Sequence, residues 1–289
     1  MNAKIKSLAA TLALTLFAGA ASAAEEGATP HYPQKKPIHH EWTFSGPFGH
    51  FDKAQLQRGF QVYREVCSNC HSLNLVSFRN LAEHGGPGFS EELVKALAAE
   101  YQVTDGPNDE GDMFERPGIP ADRFPAPFAN EQAAKASNNG AAPPDFSLIA
   151  KARAPERGFP WFVFDIFTQY QESGPDYIVS LLTGYSSTDP NESGTYDNPY
   201  FISGPAIAMA PPLSDGQIDY AQNADDDPAN DVPQTVEQYA KDVAAFTMWA
   251  AEPHLEQRKA MGFSVMLFLI VFAGLVYFTK KKVWSDVEH

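Results

Sequence analysis

The chain has 289 residues, 44% of them hydrophobic, with a formal net charge of −15. That length can bury a sizeable core. The acidic balance excludes nucleic acid as a partner, because a phosphate backbone is held by clustered Lys and Arg, and two cysteines leave no disulfide framework.

The N-terminus reads as a targeting segment. Lys4 and Lys6 precede an apolar run from Leu8 to Ala20, and Ala21-Ser22-Ala23 fits the small-residue cleavage rule. Thirteen apolar residues are too few to span a bilayer. Residues 1–23 are therefore expected to be a cleaved signal peptide. The mature chain then begins on the far side of the membrane, which in bacteria is the periplasm. Residues 24–256 are expected to form one periplasmic domain.

Residues 24–50 hold Pro30, Pro33, Pro37 and Pro47 and read as an extended arm anchored by Trp42, Phe44 and Phe48. Asp52 is placed to cap a helix with Leu56, Phe60, Tyr63 and Val66 on one face. Gly59 on that helix costs about 1 kcal/mol of propensity, so a close helix crossing is expected there.

This helix delivers Cys67-Ser68-Asn69-Cys70-His71. Two thiols three apart, followed by histidine, form the attachment pattern of a c-type haem. Each thiol can form a thioether with one vinyl group, and the histidine can supply an axial nitrogen. A redox-active Cys-x-x-Cys would sit in a βαβ context, which the flanks lack. A structural zinc site usually needs four ligands, and only three are at hand. A disulfide across two residues would be strained. One covalent haem c is the expected cofactor.

Ser90 is placed to cap a further helix with Leu93, Val94, Leu97 and Tyr101 inward. Asp105 to Asp112 reads as an acidic, turn-rich loop. Helices are predicted from about Glu131 to Asn138, from Pro143-Pro144-Asp145 through Phe146, Ile149 and Arg153, and from Asp176 to Thr183, closed by Gly184. Between the last two, residues 154–174 are unusually aromatic and must be buried or cover a partner. Residues 185–231 read mostly as loop, which a haem could order as a packing surface. Val236 to Ala251 is predicted helical through Tyr239, Val243, Phe246 and Trp249, pairing with the Gly59 helix.

Ala260 to Thr279 is twenty residues without a charge. At 1.5 Å per residue that is about 30 Å, the thickness of the hydrocarbon core. Residues 257–282 are expected to be a transmembrane anchor with its flanks, and 283–289 a cytoplasmic tail, with Lys280-Lys281-Lys282 on the cytoplasmic side.

A second axial ligand is sought among six methionines. Met1 is removed, Met261 and Met266 fall at the span, and Met248 lies in a helix beside Trp249. Met113 and Met209 remain. Met209 lies in a Pro-flanked loop, Gly204 to Leu213, whose restricted backbone lowers the ordering cost of ligation, so it is favoured. His50 and His84 are the alternatives. Two acidic clusters, Asp105 to Glu115 and Asp225 to Asp231, are candidates for steering a basic partner.

The residues then match a family. Arg58 to Ser72, Asp105-Gly-Pro-Asn108, Met113 to Gly118, Asn138 to Asp145, Ser180 to Tyr185, Asn198 to Phe201, Met209-Ala-Pro-Pro212 and Trp249 to Pro253 occur in order over nearly the whole mature chain. The chain resembles the bacterial type of the cytochrome c1 family, haem subunits of the ubiquinol–cytochrome c reductases (the cytochrome bc1 complexes). The resemblance implies a mostly α, cytochrome c-like haem domain with long loops and one C-terminal transmembrane helix. It implies covalent bonds at Cys67 and Cys70, axial positions at His71 and Met209, and a haem-propionate contact at Arg153. It also implies electron transfer from the Rieske iron–sulfur protein to a cytochrome c acceptor, with the membrane helix against cytochrome b. No separate catalytic activity is expected of the isolated chain. Two departures stand out. Residues 154–174 are longer than in the mitochondrial members, and the extra disulfide of some bacterial relatives is absent. An independent membrane-anchored electron shuttle and a haem-based ligand sensor are the other readings.

Overall fold

The computed structural model describes residues 35–221 and 231–286. The signal peptide expected at residues 1–23, and Asp225, Asp226 and Asp227 of the second acidic cluster, lie outside the described residues.

Helix α1, Lys53–Glu65, begins where the Asp52 carboxylate accepts the Ala54 N–H at 2.9 Å. It buries Leu56, Phe60, Val62 and Tyr63. Its partner is α7, Val236–Ala251, whose Tyr239, Val243, Phe246 and Trp249 are all buried. Gly59 makes the crossing possible. A Cβ there would lie 2.1 Å from the Asp242 carbonyl oxygen and 2.7 Å from the Phe246 Cβ. Beside it Arg58 grips Asp242 through two hydrogen bonds, 2.9 and 3.2 Å, and the Asp242 side chain is wholly buried. Hydrogen bonding and charge from Asp242 raise the Arg58 pKa despite the opposing effect of burial.

The Ser90 hydroxyl caps α2, Glu91–Ala99, accepting the Leu93 N–H at 3.2 Å. The buried face is Val94, Leu97 and Ala98. Leu93, expected inward, is 51% exposed at the edge of that face, where it opens onto a groove beside α1. The acidic loop is the tip of a hairpin. Strand β1, Gln102–Asp105, pairs antiparallel with β2, Phe114–Pro117. Neither strand alternates apolar and polar residues, so periodicity gave no sign of it.

Helix α3, Glu131–Ser137, stops where Asn139 and Gly140 take left-handed φ values of 52° and 85°. The helix expected from Pro143 shrinks to α4, Ile149–Ala152. Asp145 explains the loss. Its carboxylate accepts Ser72 Oγ and the Asn74 and Ser147 N–H groups, each at 2.8 Å, and Phe146 N–H donates to Ser72 O at 2.8 Å. These bonds tie two loops together instead of starting a helix.

Helix α5, Trp161–Thr168, lies in the aromatic stretch, and α6, Ser173–Thr183, follows it. Gly174 lets α6 approach α4, since a Cβ would sit 1.6 Å from the Ala150 oxygen. The buried Asp176 accepts Trp42 Nε1 at 2.8 Å and the His40 N–H at 3.1 Å, which pins the N-terminal arm. Trp42 and Phe44 are buried as expected. Phe48 is not, and its ring meets Phe263 edge-on instead. Strands β3, Tyr196–Asp197, and β4, Ala206–Ile207, form a small hairpin in the long loop region.

The C-terminal helix α8, Leu255–Val283, has 29 residues, roughly 44 Å. Leu255 and Lys259 are buried against the body, and none of the apolar run beyond is covered. By length and composition it can cross a membrane. The architecture is thus mostly helical with long loops and one such C-terminal helix.

Candidate functional site

Cys67 opens and Cys70 closes a 3-10 turn, Cys67–Asn69, at the end of α1. The Cys67 carbonyl accepts N–H bonds from Cys70 at 3.1 Å and His71 at 2.8 Å, which closes the turn. Both thiols are half-buried. Part of Cys67 remains accessible, yet burial among its neighbours pushes its thiol up to about 12.

His71 is 8% exposed. Its Nδ1 lies 2.8 Å from the Pro144 carbonyl oxygen. A carbonyl only accepts, so Nδ1 carries the proton and Nε2 keeps its lone pair. Phe146 stacks on the ring at a centroid distance of 4.1 Å. Burial lowers the His71 pKa, which favours the neutral, ligating form. Asp145 closes this side. Burial tends to raise its pKa, but the Asn74, Ser147 and Ser72 donors outweigh that and hold it below the usual value.

Met209 sits two residues beyond β4, half-buried, and its carbonyl accepts the Tyr185 hydroxyl at 3.1 Å. The buried Asn198 shapes the same hairpin through Leu181 O at 2.8 Å and Pro205 O at 2.9 Å. The competing candidates differ from Met209. Met113 is 60% exposed, and His50 and His84 are both at the surface. Met248 is fully buried in α7.

Arg153 ends α4 and is half-buried. It lies close enough to Tyr177 to lower the phenol's pKa against the larger, raising effect of burial. The Tyr177 oxygen in turn accepts the Ile202 N–H at 3.3 Å. Among the described residues no carboxylate pairs with Arg153, and no hydrogen bond joins Arg153 or Met209 to the Cys67–His71 turn. Nor do three His, Cys, Asp or Glu side chains converge as a protein-only metal site.

The comparisons with known proteins bear on this arrangement. The family model of the Cytochrome C1 family matches residues 42–287. The chain belongs to the cytochrome c1 family. It is 48% identical to the cytochrome c1 of Blastochloris viridis, with 96% of each chain covered. It is 42% identical to that of Rhodospirillum rubrum over the full length of both. A protein of Bradyrhizobium diazoefficiens named cytochrome b/c1 is 58% identical over 87% of this chain, which spans only 36% of that longer protein.

Membership of the cytochrome c1 family brings haem c with it, and the donor set fits that group. Two thiols on one turn flank a buried imidazole with Nε2 open. A guanidinium that pairs with no carboxylate among the described residues lies at the end of α4. Residue types and spacing single out Cys67, Cys70 and His71 as candidates. The Pro144 carbonyl, Asp145, Tyr177 and Tyr185 were missed, because each acts on a residue far away in sequence. The proline pair before Asp145 was the one available sign.

Proposed function

We propose that this chain is the haem-carrying electron-transfer subunit of a quinol-oxidising cytochrome bc1 complex. The observation that carries the reading is His71, buried with Nδ1 fixed on Pro144 and Nε2 free, on the same turn as both cysteines of the chain. Cys67 and Cys70 would hold one haem covalently, and His71 Nε2 would take one axial position. The Met209 thioether would take the other, an arrangement that raises the potential relative to two histidines. When bound, the haem supplies a one-electron Fe(III)/Fe(II) couple. Arg153 would hold a propionate through two parallel hydrogen bonds, which its planar fork permits.

The electron comes from a Rieske iron–sulfur protein and leaves to a cytochrome c. The name of the Bradyrhizobium relative, cytochrome b/c1, supports cytochrome b as the neighbour of α8. The body lies in the periplasm and the Lys280–Lys282 end in the cytoplasm, a single pass through the bacterial cell membrane, with residues 1–23 removed. Of the first acidic cluster, Asp105 is held by Arg116 at 2.5 Å, leaving Asp109, Glu110, Asp112 and Glu115 exposed to steer a basic acceptor.

A pyridine haemochrome spectrum of the purified protein, with mass spectrometry of the mature chain, tests the reading. A thioether-linked haem spectrum, a mass including one haem and an N-terminus at Ala24 are expected. A haem that extracts into acidified solvent would overturn covalent attachment.

A further inference from the structure

The aromatic stretch at residues 154–174 is expected to be buried or to cover a partner, and its rings from Phe159 to Phe167 are not buried. Phe159, Trp161, Phe162, Phe164 and Phe167 are each more than half exposed, Phe159 at 82%. The lobe is nevertheless ordered from within. The Arg157 guanidinium lies 4.0 Å over the Tyr170 ring and 5.3 Å from that of Trp161, and it pairs with Asp165 at 2.5 Å. A small apolar helix is thus held in shape with its rings facing out.

Its place in the fold names what meets those rings. Directly after α5, the Gln169 Oε1 accepts a hydrogen bond from Arg258 at 3.2 Å. Arg258 stands two residues before the uncharged run that begins at Ala260. The end of α5 is therefore fixed at the level where α8 enters the apolar layer. Phe48, 78% exposed, meets Phe263 one turn further along. The exposed rings of α5 thus lie on the lobe whose end is bonded to the root of α8.

The chemistry favours lipid over protein as the covering. The charge pair of α5 is closed within the lobe, and the Thr168 hydroxyl returns to the Phe164 carbonyl. Little is left on the helix to give a protein partner directional recognition. Trp and Phe rings on a short helix beside a span suit the boundary between headgroups and acyl chains.

We propose that Trp161–Thr168 is an interfacial helix that seats the body on the phospholipid surface, in the leaflet from which α8 emerges. The seat is a second membrane contact besides the span and depends on no assignment of haem ligands.

The test uses the full-length haem protein in phosphatidylcholine nanodiscs. A phosphatidylcholine carrying a diazirine near the headgroup end of one acyl chain is photolysed, and adducts are mapped by mass spectrometry. Residues 159–168 should be labelled alongside residues 260–266, which serve as the internal standard. Combining Phe162→Ser, Phe164→Ser and Phe167→Ser should cut α5 labelling at least tenfold while leaving α8 labelling and the haem spectrum unchanged. Adducts on α8 with none on α5 would overturn the proposal. So would α5 labelling in nanodiscs that disappears in the native membrane, where protection would mean that a protein subunit covers the helix.

Discussion

Gly59→Ala is the sharpest probe of the core. On helix propensity alone the change should stabilise α1 by about 1 kcal/mol. The structure sets against this a Cβ at 2.1 Å from the Asp242 oxygen and 2.7 Å from both the Asp242 carbonyl carbon and the Phe246 Cβ. Real Cβ atoms essentially never come within 3.0 Å of such neighbours, so α7 must retreat by roughly 1 Å. The obstacle is helix backbone, held by the Arg58–Asp242 pair, and cannot rotate aside as a side chain could. Overpacking of this kind costs about 1–3 kcal/mol, and backbone against backbone belongs at the upper end. The net loss is about 2 kcal/mol after the propensity gain, a fall in Tm of roughly 4–8 °C for a domain of this size. Thermal unfolding followed by far-ultraviolet circular dichroism measures it, with Gly262→Ala on the open face of α8 as the control. A Gly59→Ala protein as stable as the parent would refute the close crossing.

Four further outcomes are expected. Met209→Leu should lower the reduction potential and open the iron to carbon monoxide; a redox titration and a carbon monoxide difference spectrum check both, and an unchanged potential would return His50 and His84 to consideration. Arg153→Lys should shift the potential or impair assembly, because an ammonium cannot reproduce the paired hydrogen bonds; wild-type potential and turnover would make Arg153 a helix-end residue only. Glu252 is half-buried, which alone would raise its pKa, but hydrogen bonds from Arg258 and Lys151 hold it below the ordinary value of 4.5. Its contribution to stability is therefore full above pH 4.5 and lost as pH falls through the lower folded value, so Glu252→Gln should flatten the Tm profile in that acid range. Neutralising Asp109, Glu110 and Asp112 should slow electron transfer to a basic cytochrome c several-fold at low salt and little at high salt, which stopped-flow across a salt series would read.

What could be read from the sequence was whatever depends on near neighbours. The Asp52 and Ser90 caps, the stop at Asn139-Gly140 and the stripe of α7 are local, and each stands in the structure. Cys67, Cys70 and His71 are candidates on local grounds alone, because five consecutive residues match the attachment pattern. Distant bonds hid the rest. Asp145 looks like the start of a helix until Ser72 and Asn74, more than seventy residues earlier, claim its carboxylate. The hairpin of β1 and β2 rests on backbone pairing and the Arg116 contacts with Asp105 and Asp122, not on an apolar pattern. Phe48 looked like a core anchor because an aromatic among prolines usually is one. It was the apolar surface of α8 that drew it outward.

Lys259 sits in the second turn of α8, inside the body, and its ammonium donates to the Phe44 carbonyl at 2.6 Å. The contact joins the root of α8 to the N-terminal arm. Glu256, one turn earlier, accepts the Phe51 N–H at 2.9 Å. Between the end of α7 and the start of α8 there are three residues, and Glu252 among them is clasped by Lys151 and Arg258. Such a joint is short and tied on both sides. The body and the root of its helix are joined at several points, as a post is set in a socket. In the electron-transfer role proposed above, such a socket would hold the site at a set height over the helix.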